Sequence, residues 1–76
     1  MLTLRCSKCK KKLFKYEKIG EGRLLHLWKN RIKEVYHINK LEDKYFCECG
    51  NLIGIDNKIY IRLKKGSFTY TGEIIK

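Results

Sequence analysis

The four cysteines are the residues best suited to chemistry in this 76-residue chain. They form two tight clusters, Cys6-Ser7-Lys8-Cys9 and Cys47-Glu48-Cys49-Gly50, with 37 residues between them. Two close pairs that are far apart in sequence can converge to offer four thiolates to one ion, the tetrahedral arrangement of a structural zinc site. Cys6, Cys9, Cys47 and Cys49 are therefore the expected metal ligands, for one structural Zn²⁺ per chain. Such an ion contributes roughly 10–16 kcal/mol of folding free energy in small peptides, and a chain this short has little core of its own. The competing reading is two disulfides, for which four cysteines allow three pairings. The first residues lack the basic head and long apolar stretch of a secretion signal, so a reducing cytoplasmic setting and metal binding are expected.

The two pairs differ. Cys6 and Cys9 have the spacing of a zinc knuckle, whereas Cys47 and Cys49 are one residue apart and need a tighter turn. Gly50, directly after, can take the positive φ that such a turn requires. A rubredoxin-type iron site would show two C-x-x-C pairs, which favours zinc over iron. His26 and His37 could ligate in principle, but lone histidines in strand-like segments read as ordinary, partly exposed residues. Four sulfurs close the metal shell and leave no position for a reacting water. No HExxH pattern, phosphate-binding loop or Ser/His/Asp spacing is present, and the adjacent Glu42-Asp43 pair reads as solvated loop. The expectation is a protein that is not an enzyme.

The elements that must hold these cysteines read as β-structure. Leu2-Thr3-Leu4-Arg5 alternates into the first pair, and Leu13-Phe14-Lys15-Tyr16 follows it as a second strand. Gly20-Glu21-Gly22 is a loop. Arg23–Trp28 is strand-like and apolar on both faces, which suits a central strand. Residues 31–38 fit two templates: Ile32, Tyr36 and Ile38 share a strand face, while Ile32, Val35 and Tyr36 match helical spacing. Their β-branched and aromatic content favours the strand. Asn39–Lys44 reads as a polar loop. Leu52–Ile55 and Lys58–Leu63 form a hairpin around Asp56-Asn57, two residues that tolerate positive φ. Ser67–Thr71 is a further strand, and Glu73-Ile74-Ile75 closes the chain. The fold class predicted is mainly β: one small zinc-stapled antiparallel domain over residues 1–76, of zinc-ribbon or rubredoxin-like kind, with C-terminal hairpins. No run approaches the ~20 apolar residues that span a bilayer, so no membrane partner is expected.

The chain also resembles a known group. A C-x-x-C near the start, a long β excursion and a second pair followed by glycine are similar to zinc ribbons. The stretch Cys47–Asp56 with Ser67–Gly72 resembles small prokaryotic zinc-ribbon-like proteins of uncharacterised role, and the Cys-Gly-x-x-Ile-Gly run is also similar to β-tent zinc domains. The C-x-C pair departs from the usual ribbon knuckle. The resemblance implies zinc at the four cysteines, used as a staple, and implies no catalytic residue.

Charge bears on partners. Lys and Arg number 18 against 8 Asp and Glu, a formal net of +10. Residues 1–40 hold twelve of the bases and three of the acids, so nearly all the excess lies in that half. Zn²⁺ with four thiolates would lower the total by two. Arg5, Lys8, Lys10, Lys11, Lys12 and Lys15 crowd the first cysteine pair, and Trp28, Arg31 and Lys33 continue the basic, aromatic-bearing sequence. Cations hold phosphates and rings stack on bases, so these nine residues are candidate contacts to RNA or DNA. The rival function is a protein-interaction ribbon, an adaptor or small subunit that takes an acidic protein partner or adds a partner strand to an edge such as 67–71. A lysine-rich surface that serves solubility alone is the plain alternative.

Overall fold

The computed structural model describes residues 1–20 and 22–72. Glu21 of the predicted Gly20–Gly22 loop and the predicted closing segment Glu73–Ile75 lie outside the described residues. Among the described residues nine strands run in chain order: β1 (Leu2–Cys6), β2 (Lys12–Tyr16), β3 (His26–Trp28), β4 (Ile32–Val35), β5 (Ile38–Leu41), β6 (Lys44–Cys47), β7 (Leu52–Asn57), β8 (Tyr60–Leu63) and β9 (Phe68–Gly72). One turn of 3-10 helix at Lys29–Arg31 separates β3 from β4. Among the described residues no helix is long and apolar enough to cross a membrane.

Two antiparallel sheets result. The first has the order β4-β2-β1-β9 and the second β3-β8-β7-β6-β5. β1 alternates as its sequence dictates: Leu2, Leu4 and Cys6 point inward, while Thr3 and Arg5 point outward. Leu13, Phe14 and Tyr16 join them from the first sheet, and Leu27, Ile53, Ile61 and Leu63 from the second, in one shared core. Gly54 lets β7 approach β8 closely. A Cβ there would lie 2.7 Å from the Arg62 carbonyl oxygen and 2.8 Å from Ile61 Cγ2.

The mainly β reading holds, and four local expectations do not. The β7–β8 turn is Lys58-Ile59 and not Asp56-Asn57, because Asn57 remains in the ladder opposite Tyr60 and donates its Nδ2–H to the Tyr60 hydroxyl at 2.7 Å. Lys58 takes the positive φ of 54°, and Ile59 sits exposed at the tip. Residues 39–44 are not a loop: β5 and β6 pair as a hairpin across Glu42-Asp43, with Glu42 at φ 57°. Residues 31–38 are neither one strand nor a helix. They divide between the sheets, since the Tyr36 N–H donates to the Leu13 carbonyl in the first while Ile38 pairs with Cys47 in the second. The Arg23–Trp28 segment is an edge and not central; only Leu24 and Leu27 are buried, and Leu25 and Trp28 face outward.

Candidate metal centre

Each sheet delivers one cysteine pair. Cys6 ends β1 and Cys9 follows in its turn, while Cys47 ends β6 and Cys49 follows in its own. The four Sγ atoms all lie within 4.8 Å of one another. Cys6 Sγ is 3.6 Å from Cys49 Sγ, and Cys9 Sγ is 3.3 Å from Cys47 Sγ. A tetrahedral metal with bonds of about 2.3 Å to sulfur places its ligands about 3.8 Å apart, so the donor set fits such an ion. All four cysteines are free thiols, with Cys6 and Cys47 buried. Neither histidine belongs to the group.

The two turns are built alike despite their different lengths. In the first, the Cys6 N–H donates to the Lys11 carbonyl and the Lys10 N–H to the Cys6 carbonyl, both at 3.0 Å. In the second, the Cys47 N–H donates to the Asn51 carbonyl and the Gly50 N–H to the Cys47 carbonyl, both at 2.8 Å. The last loop residue has positive φ in both, 67° at Lys10 and 95° at Gly50. The C-x-C pair therefore reproduces the C-x-x-C turn one residue shorter, with Gly50 in the role expected of it. Lys10 in the same role carried no glycine or asparagine to signal it.

Donors converge on Cys6. The Lys8 N–H lies 3.4 Å from its sulfur, and the buried Asn51 directs Nδ2 toward it at 3.5 Å while also donating to the Ser67 carbonyl at 3.0 Å. Burial acts to raise the Cys6 thiol, but the Cys9 and Lys8 N–H groups and Asn51 together bring it down to about 6. At Cys47 burial wins and pushes the thiol up to about 12, even with a Cys49 N–H bond in opposition. If all four ionised, thiolates crowded this closely would repel one another, and a cation among them would favour the charged forms over the protonated thiols. Asn51 and Ser67 are the polar residues sequence reading missed; their only sequence mark is polarity beside Cys-Gly and at the head of β9.

Around the centre, Glu48 turns away from the sulfurs. His37 Nδ1 lies 3.1 Å from its carboxylate and Lys11 Nζ 3.5 Å, and the His37 contact, then Lys11, holds the Glu48 carboxyl below its ordinary range. The Glu48 N–H also donates to the His37 carbonyl, which ties the inter-sheet crossing to the second turn.

The nine basic and aromatic candidates do not form one surface. Arg5, Lys12 and Lys15 project from the outer face of the first sheet, with Arg5 directly opposite Lys12 and Thr3 opposite Lys15. Lys8 and Lys10 are exposed in the adjoining cysteine turn. Lys11 and Lys33 are engaged with Glu48 and Glu17. Arg31 lies in the 3-10 turn, and Trp28 belongs to the second sheet, its ring tilted against those of Tyr60 and His26. Of the other rings, Tyr16 is buried, with its hydroxyl accepting from the Trp28 N–H, and Tyr36 lies under Lys12 Nζ. Comparison with protein-family models, curated proteins and solved structures gives no match.

Proposed function

We propose that this protein is a zinc-stapled binding module that contacts nucleic acid through the outer face of its four-stranded sheet. Soft thiolates in a closed tetrahedral set favour Zn²⁺, and an ion so enclosed ties the sheets together and takes no part in catalysis. Cys6, Cys9, Cys47 and Cys49 hold it.

The observation that carries the nucleic-acid reading is the cross-strand pair Arg5–Lys12. Like charges directly opposite each other weaken a sheet, and an anion lying over the pair would relieve that repulsion beyond what the Lys10 carbonyl does for Arg5 and the Tyr36 ring for Lys12. Among the described residues, Arg5, Lys8, Lys10, Lys12 and Lys15 make no ion pair with a carboxylate. Glu34 stands opposite Lys15 on β4, but its carboxylate accepts from the Tyr36 hydroxyl. Thr69 and Thr71 extend the same face across β9, with hydroxyls suited to phosphate oxygens.

Binding to labelled single-stranded oligonucleotides across a salt series tests this reading. For about 4–6 phosphate contacts, log K falls against log salt with a slope of roughly −3 to −4. Combined replacement of Arg5, Lys12 and Lys15 by Ala reduces the slope by about 2 and leaves metal content unchanged. No salt-dependent binding by the wild type at low ionic strength would overturn the reading. Strand addition of a partner at β9, which among the described residues pairs with β1 alone, then becomes the leading function.

A further inference from the structure

A second surface carries an independent signal. On β3 and β8, Leu27 and Ile61 face the core, so His26, Trp28, Tyr60 and Arg62 share the outer face. Three rings cluster there: Tyr60 lies 4.5 Å from His26 and 5.2 Å from Trp28 between centroids. Trp28 is 39% exposed and the neighbouring Leu25 54%. These side chains are not needed by the core.

Two adjoining clefts flank the rings and share Leu25 and His26. The larger, about 580 Å³, runs past Tyr60 and Ile55 to Arg62, Lys64 and Lys65. The smaller, about 180 Å³, runs past Trp28 to Arg31, Arg23 and Lys18. Six cations border the two, and no described carboxylate lines either. The occupant this surface complements has flat apolar groups for the rings and negative charge on both sides of them for the bordering cations. A run of acidic residues supplies the charge without the planes, and lipid headgroups likewise supply charge without flat rings. Unpaired nucleotides supply both.

We infer that the His26–Trp28–Tyr60 face is a stacking platform for unpaired bases of a single nucleic-acid strand. The inference narrows the ligand class of the proposed function, and it rests on a face separate from the Arg5–Lys12 pair. RNA and DNA share the chemistry, because every base presents a π-face.

Trp28 is the chain's only tryptophan, so its fluorescence reports from the platform itself. The metal-loaded protein is titrated with oligo(dT) and oligo(U) of about ten nucleotides, a length within the range one small β domain covers. Saturable quenching by either strand, and much weaker quenching by a duplex of equal charge, is the expected result; the stronger of the two oligomers identifies the sugar preferred. Tyr60→Ala should weaken binding roughly 5- to 150-fold with the salt slope nearly unchanged, while Tyr60→Phe, which keeps the ring, should restore it. Metal content and melting temperature show whether the variants are folded, and quenching of the wild type stands even if Tyr60→Ala does not fold. Binding detected by anisotropy without any Trp28 response overturns the platform and leaves the basic-face reading intact. Trp28 quenching that persists with an unchanged slope in the Arg5, Lys12 and Lys15 replacement supports the platform and removes the basic face. Equal quenching by duplex, or quenching by poly(Glu) alone, also overturns it.

Discussion

Asn51 Nδ2 bridges the Cys6 sulfur and the Ser67 carbonyl, at 3.5 and 3.0 Å, from a buried position between the two sheets. One side chain thus donates to the cysteine cluster while fastening the segment that leads into β9. A donor to a charged acceptor is worth roughly 1.5–3 kcal/mol. Asn51→Ala should lower metal affinity by about 10- to 150-fold in chelator competition. Asn51→Asp should cost more, because it turns a carboxylate toward a thiolate. Unchanged affinity in both variants would show that Asn51 serves the Ser67 contact alone.

The β7–β8 turn gives a test of backbone strain. Lys58→Gly should be neutral or stabilising by up to about 1 kcal/mol, since glycine reaches φ 54° without a Cβ penalty. Lys58→Val should destabilise by about 1–2 kcal/mol. Asn57→Gly should also destabilise, by roughly 0.5–1.5 kcal/mol, through loss of its bond to the Tyr60 hydroxyl. Urea unfolding of the three variants checks the ordering; a stabilising Asn57→Gly would move the turn back to residues 56–57.

Gly54→Ala should be among the most damaging small changes. Its methyl would meet the Arg62 backbone, which cannot rotate aside, so the strands must separate at a cost of roughly 1–3 kcal/mol. A melting temperature equal to that of the wild type would contradict the closeness of β7 and β8.

Asp56 sets a pH dependence. Lys29 Nζ lies 2.5 Å from one carboxylate oxygen and Lys40 Nζ 3.2 Å from the other, and these partners, Lys29 foremost, hold the carboxyl below its ordinary value of 3.8. A carboxyl with a depressed folded-state pKa contributes stability above its unfolded value and loses it as pH falls through the folded one. The stability gap between wild type and Asp56→Asn should therefore stay constant from pH 8 to about 5 and narrow only in stronger acid. A gap that changes between pH 6 and 8 would assign the effect to a histidine.

Much of the candidate metal centre was legible because cysteine spacing is a local signal. The two pairs, the tight C-x-C turn and the positive φ of Gly50 all follow from residues within a few positions of one another. Strands β1 and β2 were legible for the same reason, since Leu2, Leu4 and Cys6 alternate against Thr3 and Arg5. What could not be read depends on long-range placement. Asn57 looked like a turn residue until Tyr60 gave it a hydrogen-bond partner. Lys11 looked like a free cation until the fold set Glu48 beside it. Trp28 looked like a neighbour of Lys10–Lys12, yet the division of residues 31–38 between sheets belongs to a fold that puts it on the other one. No glycine or proline marks the crossing at Tyr36-His37, so no local rule located it.

Cobalt titration of the metal-free protein, followed by visible absorption and by unfolding of the same samples, tests the central claim that one ion held by both cysteine pairs joins the two sheets. The expected result is the ligand-field bands of tetrahedral thiolate coordination, saturating at one equivalent, with cooperative unfolding that appears with the metal and disappears on chelation. Each single Cys→Ser variant, from either sheet, should lose the four-sulfur spectrum. Cooperative folding of the Cys6, Cys9, Cys47, Cys49→Ser protein without metal, or saturation with only one cysteine pair required, would contradict it.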